Sequence, residues 1–366
     1  MREPDPDGGA ATAGQLSFSC SSCGARLEYA PGTTTLSCPY CGAQQQVPIA
    51  DRQIEEHAYT SWQPATVAVP TVLHCPKCGA DVETTDLSTP CSFCGSPIIR
   101  DLTADPQVHP EGLVPFGLDR PGAQRAILGW VGSRWFAPNK LKRVGAAETL
   151  KGTYLPHWTY DARTATAYSG MRGEHYWETE TYTEYVDGEP RTATRQVMRT
   201  QWWPASGQVS RDFDDVLVVG TARLPKDTLE ALAPWSLSGA VAYQPEYLSG
   251  YQTLRYDIEP DHGLELAKQQ MAPVIEGDCR ADIGGDEQQV HSMNTGYSDV
   301  TFKLMLLPVY LAAYLYAGKT FNVYVNAHTG QVIGQRPYSI PKIVAAVAAG
   351  LLVAGVLAYL YIASRR

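Results

Sequence analysis

Eight of the nine cysteines stand in four Cys-x-x-Cys-Gly units: Cys20-Ser-Ser-Cys23-Gly, Cys38-Pro-Tyr-Cys41-Gly, Cys75-Pro-Lys-Cys78-Gly and Cys91-Ser-Phe-Cys94-Gly. Two thiolates that close in sequence reach one tetrahedral ion from a tight turn, and the glycine after each second cysteine supplies backbone freedom there. Fourteen residues separate the first two units and twelve the last two. That is close to the spacing of a zinc ribbon, with room for short paired strands such as Arg26-Leu27-Glu28-Tyr29 and Asp81-Val82-Glu83. We expect two structural Zn2+ sites rather than redox pairs or iron, one held by Cys20, Cys23, Cys38 and Cys41, the other by Cys75, Cys78, Cys91 and Cys94. Four thiolates close the coordination shell and leave no open position for catalysis.

The remaining chemistry is sparse. Cys279, between Asp278 and Arg280, is a lone thiol that would need a histidine partner to act as a nucleophile. His157, His175, His262 and His291 are scattered along the chain. Gly318-Lys319-Thr320 would end a phosphate loop only if glycine stood at Ala313. No His-Glu-x-x-His and no Gly-x-Ser-x-Gly occurs. The residues therefore predict no enzyme.

Charge narrows the partners. The formal net charge is -9, and residues 1–110 hold five basic side chains against twelve acidic ones. Four-thiolate zinc sites would add further negative charge. Phosphate backbones would be repelled, so neither a general nucleic-acid affinity nor a broad basic face on anionic lipid is expected. The expected partner is protein, reached through the ribbon knuckles or through a spacer containing Tyr59 and Trp62. Ribbons that merely cap the body are the alternative.

These cysteines must be carried somewhere, and the end of the chain says where. Ile343 to Ile362 is a run of twenty residues without a charge. As a helix it is roughly 30 Å long, matching a bilayer's hydrocarbon core. Tyr338, Tyr359 and Tyr361 suit the interfacial belt. Arg336 and Lys342 on one side balance Arg365 and Arg366 on the other, so charge does not orient the span. The first residues, MREPDPDGGAATAGQ, have no apolar core, which excludes a secretory signal there. Cysteine usage then places the body in the reducing cytoplasm. Within the span, Ala346, Gly350, Ala354 and Ala358 recur every fourth residue, a stripe through which helices of two copies can approach.

Between the ribbons and the span lies a β-rich body. Asp119 is positioned to cap a helix with Pro121 in its first turn and with Ala123, Ala126, Ile127, Trp130 and Val131 on one face. Trp135-Phe136-Ala137-Pro138 ends that helix, and a basic stretch from Lys140 to Arg143 follows. Strands begin with Gly152 to Tyr160. Asp187-Gly188 closes a hairpin between Glu174–Val186 and Glu189–Trp203, in a register that sets Glu184 against Arg191, Glu180 against Arg195, Thr183 against Thr192 and Thr181 against Thr194. Both faces near the turn are largely polar, so this ribbon is expected to project into solvent as a docking arm or an ornament.

Phe213–Val219 reads as a strand, Lys226–Leu232 as a short helix and Pro234–Tyr256 as an irregular aromatic stretch. A helix near Leu264, Ala267 and Met271 should be kinked or shortened by Pro273. Val300–Leu307, Val309–Tyr316 and Thr320–Val325 follow as strands, the last two joined by Ala317-Gly318. The closing unit, through Asn326–Gly330 to Gln331–Gly334, resembles small peptidase-propeptide-type domains. Leu155-Pro156-His157-Trp158, Leu307-Pro308-Val309-Tyr310 and Val114-Pro115-Phe116 echo one another.

The expected class is therefore α+β, with a β-rich body, two N-terminal zinc ribbons and one C-terminal transmembrane helix. The units are a disordered arm (1–15), ribbon 1 (16–50), a spacer (51–71), ribbon 2 (72–104), a linker (105–112), the body (113–336) and the span (341–363).

From Phe18 to the end, this order of parts resembles a bacterial family of double-zinc-ribbon, C-terminally membrane-anchored proteins. The resemblance rests on the paired Cys-x-x-Cys-Gly ribbons, Val-Pro-Phe before a helix ending Arg-Trp-Phe-Ala-Pro, Gly-Thr-Tyr-Leu-Pro-His-Trp-Thr-Tyr-Asp-Ala, and Leu-Leu-Pro-Val-Tyr before a final span. Members often carry labels borrowed from transcription-factor zinc ribbons or replication-restart helicases. No helicase motif is present here, and only the eight ribbon cysteines transfer. The expectation is a non-enzymatic adaptor that holds a cytosolic protein assembly at the cytoplasmic membrane. A phage-tail-like contractile injection particle is one conceivable cargo, though no residue identifies it. The alternatives are a nucleic-acid-linked regulator and a hydrolase or redox factor using Cys279.

Overall fold

Three very long strands carry the architecture. In the computed structural model, which describes residues 15–50, 52–62, 70–103, 105–133, 150–186, 189–316, 319–335 and 340–364, these are β1 (Lys151–Val186), β2 (Glu189–Val219) and β3 (Glu287–Tyr316). The shorter β4 (Lys319–Asn326) and β5 (Val332–Gly334) follow. The helices are α1 (Arg120–Gly132), α2 (Lys226–Glu230), α3 (Pro260–Ile283) and α4 (Ile340–Ser364). The chain is α+β and β-rich, with two four-cysteine clusters in front and one apolar helix at the end.

β1 lies between β2 and β3, antiparallel to both. Its 36 residues run roughly 120 Å at about 3.3 Å each. β3 leaves β1 at the pair Gly173–Glu287, whereas β2 accompanies it to Val186–Glu189. The last part is therefore a two-stranded ribbon. Its register matches the sequence reading at Glu184–Arg191, Thr183–Thr192, Thr181–Thr194 and Glu180–Arg195. The turn residues Asp187 and Gly188 lie outside the described residues, as do 1–14, Trp135–Pro138, Lys140–Arg143, Ala317–Gly318, Arg336, Tyr338, Arg365 and Arg366.

Two expectations need correction. Phe213–Val219, Val300–Leu307 and Val309–Tyr316 are lengths of two continuous strands and not separate elements. Pro308 and Pro156 stand where a second pairing begins: β4 joins β3 from Val309, just after Pro308, and β2 joins β1 from His157, just after Pro156. Pro273 does not shorten α3, which continues to Ile283 and ends at Gly284 with φ +64°. Leu264, Ala267, Met271, Ile275, Cys279 and Ile283 recur every three or four residues and are buried on both sides of Pro273. They pack on Trp158, Tyr160, Ala162 and Tyr168 of β1. This packing outweighs the helix bond that proline forfeits.

A second core joins ribbon 1 to the body. Tyr29, Leu27 and Leu36 pack with Phe116, Tyr154, Tyr251 and Tyr310, and Phe116 stacks on Tyr251 with ring centres 4.0 Å apart. The Asp119 side chain caps α1 through Gly122 N–H, as its sequence position requires. The three echoed Leu-Pro and Val-Pro segments meet in one place: Leu155 lies opposite Leu307, and Val114 N–H donates to Leu306 O.

The stretches read as spacer and linker are built into this sheet. His57–Ala58 pairs with β3 at Thr301 and Phe302. Tyr59 and Trp62 stack on each other, and Tyr59 also meets Phe302 edge-on. Gln107 and Glu111 are buried, and Gly112–Leu113 runs parallel to β3. The second hairpin of ribbon 2, Ser88–Pro90 with Pro97–Arg100, joins the same sheet through the pair Ser88–Thr253.

Candidate metal centres and the projecting ribbon

Each knuckle repeats one local design. The N–H groups of Gly24, Gly42, Gly79 and Gly95 donate to the carbonyls of Cys20, Cys38, Cys75 and Cys91. All four glycines have φ between +71° and +75°. At Gly24, Gly42 and Gly95 an added Cβ would meet nothing within 4 Å, so left-handed backbone and not crowding selects glycine there.

The turns bring the eight predicted cysteines into two quartets. Sulfur separations are 3.6 Å for Cys20–Cys41, Cys23–Cys38 and Cys75–Cys94, and 3.7 Å for Cys78–Cys91. A tetrahedron of sulfurs at about 2.3 Å from a central ion has edges of about 3.8 Å, so both quartets match a four-coordinate metal. Backbone N–H groups from Ser22 and Cys23 draw the Cys20 thiol down to about 6, and Ser96, by side chain and backbone, draws Cys94 to about 6. Either quartet can hold a metal ion.

The other sequence candidate is placed differently. Cys279 is fully buried on the face of α3 that packs on β1. Burial, with Asp278 and Asp282 nearby, pushes its thiol up. Such a sulfur lacks the exposure and thiolate character of a nucleophile. His157 is buried near Trp235, with Nδ1 3.1 Å from Leu155 O, while His175 pairs with Glu287 at 2.8 Å.

A polar cluster not anticipated from sequence lies where β1 meets its neighbours. Glu56, Asp161, Asp214 and Asp215 bring carboxylate oxygens within 4.8 Å of one another. Lys303 Nζ lies 2.8 Å from both Glu56 and Asp215, and Asp215 N–H donates to Asp161 at 2.7 Å. The β1 register shifts against both partners beside Asp161. Asp215 and Asp299, one on each neighbouring strand, have positive φ and mark the bulges; Asp215 enters the cluster, whereas Asp299 pairs with Arg163. Burial and the Glu56 carboxyl raise Asp161 to about 6, while the bond from Asp161 holds Glu56 at about 2. Lys303 offsets part of the negative charge of the four carboxylates. The available signals, Asp214-Asp215 and Asp161, are too ordinary in sequence to have revealed the site.

Beyond Gly173 the ribbon has two unlike faces. On one, Glu180 pairs with Arg195 at 2.7 Å and with Arg199 at 3.2 Å, while Arg199 also contacts Glu178 at 2.5 Å. The other face carries Trp177 opposite Met198, Thr179 opposite Gln196, Thr181 opposite Thr194, Thr183 opposite Thr192 and Tyr185 opposite Pro190. From Trp177 to Tyr185 and from Pro190 to Met198 this face contains no charged side chain, and Trp177 is 67% exposed. Alternation of threonine with charge in the sequence was the signal for it. Among the described residues no strand pairs with the outer edge of β2.

α4 contains an 18-residue stretch, Val344–Tyr361, of mean hydropathy 2.2 and with none of it buried in the body. It is long and apolar enough to span a membrane. Gly350 meets nothing within 4 Å.

No protein-family model matches this chain, and no solved structure matches it. An uncharacterized protein of Bacillus subtilis strain 168, YdjG, is similar: it is 22% identical over 337 residues, which cover 90% of this chain and 92% of the relative.

Proposed function

We propose that the protein is a membrane-tethered, non-enzymatic adaptor whose body lies in the cytoplasm and whose ribbon docks a protein assembly. Zinc at both four-cysteine clusters stiffens the front of the molecule. The observation that carries this reading is the two-stranded ribbon, held away from the body with Trp177, Met198 and Tyr185 on an uncharged face. Such a ribbon is marginal by itself, and exposed aromatic anchors are the usual centres of protein interfaces. The acidic balance of the chain and the burial of Cys279 weigh against the nucleic-acid and thiol-dependent readings. No feature specifies a contractile injection particle, so the cargo proposed is a protein assembly without further definition.

The test is affinity capture of the intact chain from detergent extracts, beside a double Trp177→Ser, Met198→Ser variant and a form lacking α4. We expect one defined set of subunits to be recovered with the intact chain and lost with the double variant. Equal recovery by both would refute ribbon docking, and recovery of no assembly by the intact chain or the soluble body would refute the adaptor itself.

A further inference from the structure

Four segments far apart in sequence enclose a cleft of about 400 Å³, lined among others by Leu16, Arg52, Arg100, His109, Tyr243 and Pro245. This is a small-molecule volume. In a chain of net charge -9, two of the five basic side chains among residues 1–110 line it.

Arg100 is 6% exposed. Its terminal nitrogens donate to Thr71 Oγ1 at 2.9 Å and to Thr84 O at 2.8 Å, and its Nε has no partner among the described residues. The nearest acid, Asp105, is 3.9 Å away and already takes both ends of the Arg255 guanidinium. Two buried guanidinium groups thus share one carboxylate. Arg52 reaches the cleft half-exposed; it donates to Pro110 O at 3.2 Å and Glu111 O at 3.4 Å, and its charge meets the Glu111 carboxylate only at 3.5 Å. The one acid of the lining, Asp101, is occupied by the Thr103 N–H and hydroxyl. The hydroxyl of Tyr243 bonds to nothing among the described residues, while its ring, Leu16 and Pro245 give an apolar wall.

We propose that this cleft binds a small organic molecule through one oxyanion group, a carboxylate or a phosphate. Arg52 and the field of Arg100 receive the charge, the Tyr243 hydroxyl donates, and the apolar wall accepts the remainder of the ligand. A bound anion would touch the first strand of the chain, the spacer, the end of ribbon 2 and the body, and so would fasten the two ribbons to the sheet. This site is independent of the adaptor reading and of the metal sites.

The experiment uses the full chain in detergent, with inorganic phosphate and with citrate titrated against sodium chloride at matched ionic strength. One or both anions should raise the melting temperature by about 3 °C over chloride. A shift by phosphate alone assigns the phosphate group, and a shift by citrate alone the carboxylate. Arg52→Gln and Tyr243→Phe should each weaken the apparent affinity about tenfold while leaving far-ultraviolet circular dichroism unchanged. If Arg52→Gln fails to fold, the Tyr243→Phe titration decides. No shift beyond chloride with either anion overturns the site, as does a shift that survives in the folded variants.

Discussion

At the scale of single residues, the raised Asp161 carboxyl beside Glu56 makes a measurable prediction. A carboxyl raised to about 6 in the folded chain binds its proton more tightly there than when unfolded. It therefore costs nothing below its ordinary range, weakens the fold as pH rises through 4 to 6, and exerts its full effect above that. Glu56, depressed to about 2, contributes in the opposite sense: its stabilisation is present above its ordinary pKa and is lost as pH falls toward 2. Asp161→Asn keeps an oxygen for the Asp215 N–H and a donor for Glu56, so it copies the protonated form at every pH. Because the site is partly exposed, we discount the shift and expect Asp161→Asn to gain about 1 kcal/mol at pH 7.5. At pH 4 it should gain nothing. Melting curves at the two pH values settle it, since a gain of equal size at both would mean that the Asp161 carboxyl is not raised in the folded chain.

Buried charge behaves differently. Asp105 is bound by Arg255 where both are almost wholly enclosed. Asp105→Ala would strand two guanidinium groups, and we expect a loss of about 3 kcal/mol or more in urea unfolding. A loss below about 1 kcal/mol would mean that water or another acid reaches the site.

At the scale of elements, α3 packs on β1 as far as Tyr168, while nothing among the described elements covers the two-stranded ribbon beyond Gly173. Ile275, at 1% exposure, anchors the second half of α3 beyond Pro273. Ile275→Ala should cost about 2–4 kcal/mol by the cavity it leaves. Arg195→Glu on the ribbon replaces an exposed pair and should cost less than about 1 kcal/mol globally. It should nevertheless speed amide exchange in residues 176–199 without changing exchange in α3. Uniform acceleration through both would show that ribbon and body unfold as one unit.

How legible these elements were follows from the distance over which each is determined. The ribbon register was readable because Asp187-Gly188 fixes it and the matching Glu, Arg and Thr residues lie within sixteen positions of one another. The knuckles were readable because each Cys-x-x-Cys-Gly is closed by its own backbone bond. Strand continuity was not, because Pro308 reads as a break until β4 is seen to start beside it. Nor were the carboxyl cluster and the anion cleft, which join Glu56 to Lys303 and Arg52 to Tyr243 only through the folded sheet. That the helix runs on past Pro273 is not legible locally, because the packing on β1 that offsets the lost bond is distant in sequence.

At the scale of the whole molecule, the metal sites are not equivalent. The three strands of ribbon 1 between Glu28 and Gln46 form a sheet of their own, which meets the body by packing of Tyr29 on Tyr247 and Tyr251 and by backbone bonds from Tyr29 N–H to Ser249 O and from Gly32 N–H to Phe116 O. Ribbon 2 is continuous with the main sheet through Ser88–Thr253, and Arg223 holds Asp86 at its turn. Loss of order at Cys75–Cys94 should therefore propagate into the sheet, whereas loss at Cys20–Cys41 should remain more local. With four thiolates at each site, the purified chain should carry about two metal ions, and Cys23→Ser or Cys78→Ser should each remove about one. Elemental analysis gives the count, and melting curves give the asymmetry: Cys78→Ser should lower the main transition more than Cys23→Ser. A chain truncated after Gln335 supplies the control, because α4 makes no buried contact in its apolar stretch. That form should leave the membrane fraction with its metal content and melting temperature unchanged. If both cysteine variants lowered the main transition equally, the hydrogen-bonded junction at Ser88 would have no special part in coupling metal to fold.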